Sequence, residues 1–112
     1  MRNIKKVLRS KNVLIVEDEI EMLEALVDIM SFQFAKAKGV SSGKEALEQL
    51  KSEEFDLVLT DLTMPDMDGF DATRQIKALA DAPIVAILVM FDYAAVREQA
   101  RLAGADACID KS

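Results

Sequence analysis

The chain has 112 residues, 51% of them apolar, a size and composition that suit one compact domain and leave no room for a second. Its formal charge of −6 is unevenly placed: Arg2, Lys5, Lys6, Arg9 and Lys11 put +5 on the first eleven residues and leave −11 on the remainder, a body that nucleic-acid phosphate would repel. With no histidine, a single cysteine (Cys108) and no apolar run near the roughly 18 residues that cross a bilayer, catalysis by an internal histidine, an internal disulfide and a helical membrane span are all excluded. The start, MRNIKKVLRS, lacks the apolar stretch of a signal peptide, so a cytoplasmic protein is expected.

Residues 1–11 read as a basic arm or a short helix, because Ile4, Val7 and Leu8 fall on one helical face. Val13 to Val16 is a continuous apolar, β-branched run of the kind that forms a strand covered on both faces. It ends at Glu17-Asp18-Glu19. Ile20, Leu23, Leu26, Val27 and Met30 then keep a helical period, headed by acids that suit the positive end of a helix dipole. Phe34 to Val40 is weakly patterned and predicts an edge strand, followed by Ser41-Ser42-Gly43 as turn and cap.

Ala46, Leu47 and Leu50 stripe a second helix, and Leu57-Val58-Leu59 form a strand that ends on Thr60-Asp61. After the turn Met64 to Gly69, the residues Phe70, Thr73, Ile76, Leu79 and Ala80 mark a third helix that stops before Pro83. Ile84 to Met90 is the most apolar run. Ala94 to Leu102 predicts a fourth helix stopped by Gly104, and Ala107-Cys108-Ile109 a last strand before Asp110-Lys111. The alternation of strand and helix implies an α/β domain with a doubly wound, five-stranded parallel sheet.

Acids therefore stand at two strand ends, Glu17 and Asp18 after the first and Asp61 after the third. In the flavodoxin-like strand order 2-1-3-4-5 these strands are neighbours at the switch point, and the acids converge where ligands bind. At about 4 Å and an effective dielectric near 20, each carboxylate pair repels by roughly 4 kcal/mol before screening. Such a cluster calls for a hard cation, and oxygen donors suit Mg²⁺. A carboxylate beside that cation can attack an in-line phosphoryl group, with Lys111 at the last strand's end pairing with a phosphoryl oxygen.

Asp61-Leu62-Thr63-Met64-Pro65-Asp66-Met67-Asp68-Gly69 closely resembles the phosphoacceptor loop of the receiver (CheY-like) domain of two-component response regulators. Glu17-Asp18 is similar to that family's acidic pair and Lys111 to its lysine, and the resemblance covers residues 12–111, within an expected domain of residues 12–112. It implies that Asp61 is phosphorylated by a histidine kinase or phosphotransfer protein, and that Asp18, Asp61 and the Thr63 backbone carbonyl bind Mg²⁺, with Glu17 contributing through water. It implies a signalling module that catalyses only its own phosphoryl transfer and hydrolysis.

Three departures stand out. The family's serine or threonine at the end of the fourth strand falls on Leu88 or Val89, and its switch aromatic on Cys108. The chain stops at Lys111-Ser112, where the family continues with proline and a fifth helix. A truncated domain is thus expected, with the bared sheet face left to the Ile4-Val7-Leu8 helix, a swapped segment or a homodimer partner, and any effector domain lying outside this chain. Two rivals follow: a pseudo-receiver that works by dimerisation or partner binding without a conventional phospho-switch, and a haloacid-dehalogenase-type phosphatase. The second rests on Asp61-Leu62-Thr63 alone, with only 51 residues following Asp61.

Overall fold

The structure, a computed structural model, describes residues 4–90 and 93–111. Five strands, β1 (Asn12–Val16), β2 (Lys36–Val40), β3 (Leu57–Asp61), β4 (Ile84–Val89) and β5 (Ala107–Asp110), form one parallel sheet in the order β2-β1-β3-β4-β5. Four helices connect them: α2 (Ile20–Ser31), α3 (Gly43–Ser52), α4 (Gly69–Lys77) and α5 (Ala94–Ala103). A short α1 (Ile4–Leu8) precedes β1. This is the flavodoxin-like doubly wound arrangement that the strand and helix pattern predicts.

β1 lies inside the sheet because Val13, Leu14, Ile15 and Val16 are apolar on both faces, and all four are fully buried. Each such burial contributes about 1.5–3 kcal/mol relative to an exposed side chain. Alternate residues serve two cores. Leu14 and Val16 join Val58, Val85, Ile87 and Val89 against Ala46 of α3, Ile76 of α4 and Ala100 of α5. Val13 and Ile15 join Leu59 and Ala86 against Leu23, Leu26, Val27 and Met30 of α2.

Two elements are shorter than their sequence pattern. α4 ends at Lys77, not Ala80, because the Ala78 N–H makes the last helical bond, to the Arg74 carbonyl, and the Leu79 N–H closes onto the Ile76 carbonyl in a tightened last turn. β2 begins at Lys36 because Phe34 is still held by α2, its N–H donating to the Met30 carbonyl at 2.9 Å while its ring is buried. α1 does form, but only Leu8 packs on the core, and Ile4 and Val7 stay exposed. No helix follows β5 among the described residues. On the α2 side of the sheet, Ile84 and Ile109 remain 56% and 44% exposed. No described helix is long and apolar enough to cross a membrane.

Candidate functional site

The three acids are brought to one place by strand order. β1 and β3 are adjacent, with Val16 opposite Thr60, so Glu17 and Asp61 leave neighbouring strands at the same level. Glu17, Asp18 and Asp61 each offer an oxygen within 4.8 Å of the others. β5 supplies the counter-charge: Lys111 Nζ lies 2.9 Å from Asp61 Oδ1 and 3.2 Å from Glu17 Oε1. Three carboxylates face one ammonium, leaving a local excess of negative charge and oxygen donors, a chemistry that fits a hard divalent cation.

Burial shapes the electrostatics. Glu17 is only 2% exposed, and removal from water pushes its carboxyl above the usual range. The Glu19 N–H and the Lys111 ammonium pull against that, while Asp61 adds to it. For Lys111 burial works toward the neutral form, but the bond to Asp61 and then Glu17 more than offset it, so its pKa is raised and it stays charged. The Glu17–Lys111 bond thus favours the charged form of both partners, but burial outweighs it at Glu17 and not at Lys111, for which Asp61 is the stronger partner.

The loop after β3 is closed at its base. Leu62 N–H donates to Asp61 Oδ1 at 3.0 Å and to the Leu88 carbonyl at 3.2 Å, and Gly69 N–H returns to the Leu62 carbonyl at 2.6 Å. Gly69 is required there, since a Cβ would stand 2.7 Å from the Asp61 carbonyl oxygen and 2.9 Å from the Leu62 Cα. Beside this loop Thr63 joins Asp61, Val89, Met90, Tyr93 and Lys111 around a cavity of about 420 Å³. A larger hollow of about 650 Å³ lies at the strands' opposite ends, between Asn12, Asp56, Asp81 and Ile84. The converging acids and the carboxyl-end position favour the smaller one.

The response regulator receiver domain family matches residues 13–112, nearly the whole chain. This chain belongs to that family. The receiver domain is 33% identical over 102 residues to the chemotaxis protein CheY of Halobacterium salinarum, covering 91% of this chain and 85% of that protein. It is 39% identical over 88 residues to the transcriptional regulatory protein ZraR of Escherichia coli strain K12, covering 76% of this chain but only 19% of ZraR. Among solved structures, the receiver domain of the histidine kinase CKI1 from Arabidopsis thaliana, complexed with Mg²⁺ and BeF₃⁻, superposes with a TM-score of 0.76 at 28% identity. That match covers 96% of this chain and 85% of the other. The chain therefore carries a receiver domain of two-component response regulators, and it spans less than a fifth of the length of ZraR.

The sheet register now decides which residue replaces the family's fourth-strand hydroxyl. Leu88 lies opposite Asp61 but on the α2 side with Ala86, whereas Val89 faces the cavity and accepts the Lys111 N–H at 2.7 Å. Val89 is the substitute. Two site residues carry no role in the sequence reading, Tyr93 on the cavity wall and Asp66 in the loop. Only the chain's three-dimensional course brings Tyr93 to Asp61 and Asp66 to α3.

Proposed function

We propose that Asp61 is the phosphoacceptor, that Glu17, Asp18, Asp61 and the Thr63 backbone carbonyl hold Mg²⁺, and that Lys111 pairs with the incoming phosphoryl group. The observation that carries this reading is Asp61 itself, 2.9 Å from an ammonium and within 4.8 Å of two further carboxylates at a parallel sheet's switch point. When bound, Mg²⁺ offsets charge on the phosphoryl oxygens. An Asp61 oxygen attacks phosphorus, the new P–O bond forms as the P–N bond to a histidine breaks, and the departing imidazole keeps the bonding pair. The Leu62 N–H fixes the Asp61 rotamer, and Lys111 moves from carboxylate to phosphoryl oxygen without a change of protonation. The chain has no histidine, so the donor is a histidine kinase or phosphotransfer protein.

In this reading the domain of residues 12–112 acts in the cytoplasm, turns over nothing but its own acyl phosphate, and binds neither membrane nor nucleic acid through its acidic body. Output passes to an effector domain or a homodimer partner. Incubation with acetyl phosphate and Mg²⁺ is expected to add one phosphoryl group by mass, and Asp61→Asn or chelation with EDTA to abolish it. No incorporation into the intact protein overturns the assignment and favours the pseudo-receiver, a reading that Val89 and Cys108 at the two switch positions would suit.

A further inference from the structure

A backbone carbonyl has no rotamer of its own, so the aim of the Thr63 carbonyl is set by whatever holds the β3–α4 loop. The two ends of that loop are fixed by Gly69 and by Asp68, whose carboxylate accepts the Asp71 N–H at 2.8 Å and caps α4. Its middle is fixed from elsewhere. Asp66 reaches across to α3, accepting the Gly43 N–H on Oδ1 at 3.2 Å and the Lys44 N–H on Oδ2 at 2.9 Å. Both its oxygens serve one helix end more than twenty residues earlier in the chain.

That end of α3 is already capped within its own segment. Ser42 Oγ accepts the Glu45 N–H at 3.1 Å, and Glu45 Oε1 accepts the Ser41 N–H at 3.0 Å and its hydroxyl at 2.7 Å. Ser42 therefore leaves the Gly43 and Lys44 N–H groups to Asp66, which also meets the positive end of the helix dipole. The next loop residue is seated on the same turn: a Cβ on Gly43 would lie 2.6 Å from Met67 Cγ and 2.7 Å from Sδ. α3 is thus shaped to receive the loop, a side chain being absent where Met67 rests.

We propose that Asp66 is a positioning residue, latching the phosphoacceptor loop onto the first turn of α3 and thereby setting the Thr63 carbonyl against Asp61. This rests on the assignment of Thr63 and Asp61 to the cation site. Support from a second segment is what holds a ligand's orientation, and its loss costs metal affinity more than it costs the chemical step.

The test is a Mg²⁺ titration of the full chain followed by amide chemical shifts, alongside phosphorylation from acetyl phosphate at saturating Mg²⁺. Asp66→Ala is expected to weaken Mg²⁺ by about tenfold with the saturated rate unchanged, and Asp66→Asn, which keeps one acceptor oxygen, to fall between. Gly43→Ala, which displaces Met67 without altering charge, should weaken Mg²⁺ in the same direction. Ser42→Ala removes a cap of α3 that the loop does not use, so it should lower stability and spare Mg²⁺ affinity. An Asp66→Ala protein that unfolds more easily yet binds Mg²⁺ as the parent does overturns the latch and leaves the site assignment standing. A parent protein that neither binds Mg²⁺ nor takes up phosphate overturns the assignment itself.

Discussion

Lys111 bonds two carboxylates whose surroundings differ, and Glu17 is the one that cannot turn to water. Lys111→Ala leaves that buried carboxylate without its cation, an arrangement that typically costs about 1–3 kcal/mol for an unsatisfied polar group. We expect that loss in urea unfolding without Mg²⁺, and phosphoryl uptake that stays slow at any Mg²⁺ concentration. A second residue reports through pH. Asp106 Oδ2 accepts the Val85 N–H at 2.9 Å and the Lys77 ammonium at 2.9 Å, and these, the backbone bond first, hold its carboxyl below the ordinary value of 3.8. A depressed folded pKa gives stability that is present above the unfolded value and disappears as pH falls through the folded one. Asp106→Ala should therefore lower unfolding free energy at pH 7 by about 1–2 kcal/mol, and the gap to the parent should narrow as pH falls below the ordinary aspartate value. A gap that stays constant through acid pH would mean the carboxylate charge is not what matters there.

At the scale of elements, the loop from Leu62 to Asp68 is where sequence and structure inform one another most. Gly69 sits against backbone atoms, which yield less readily than the end of a side chain, so Gly69→Ala must open the base of the loop. We expect a cost of about 1–3 kcal/mol by urea unfolding, together with slower uptake of phosphate from acetyl phosphate. A stable protein with the parent rate would show that the close approach to Asp61 is not needed. Four of the strands were legible as short apolar runs with turn residues at their ends, while β2, with Lys36 and Lys38 in it, showed only as a weakly patterned edge strand, and β1 could only be central because Val13 to Val16 has no polar face. Helix α4 was legible to within one turn. Its true end depends on a tightened turn after Lys77, and Lys77 itself is drawn to Pro83 and Asp106, partners no local window contains. Asp66 was hidden for the same reason. As a loop residue between Pro65 and Met67 it shows only turn chemistry, and its bonds to Gly43 and Lys44 exist only once α3 is packed alongside.

Across the whole molecule, the question is how far a phosphoryl group on Asp61 can move the surface it signals through. A bound group shifts a conformational equilibrium only by interacting differently with the two states. The end of β4 is already tied from both sides, by the Leu62 N–H on the Leu88 carbonyl and the Lys111 N–H on the Val89 carbonyl. Where a hydroxyl could follow the phosphoryl oxygen inward, Val89 presents methyl groups, and Cys108 in the neighbouring strand is too small to swing as an aromatic ring does. Phosphorylation should thus have little leverage on β4 and α5. Beryllofluoride with Mg²⁺, a phosphoryl mimic, is expected to shift the amides of 17–18, 61–69 and 111 strongly and those of 88–90 and 93–108 weakly. Val89→Thr places a hydroxyl at the cavity wall at nearly constant volume, so it should enlarge the second set of shifts several-fold while leaving the first set as it was. If the parent protein already shows large shifts through 88–90 and 93–108, the coupling runs through contacts other than a hydroxyl at Val89. Tyr93, on the same cavity wall, would then be the next residue to exchange for phenylalanine.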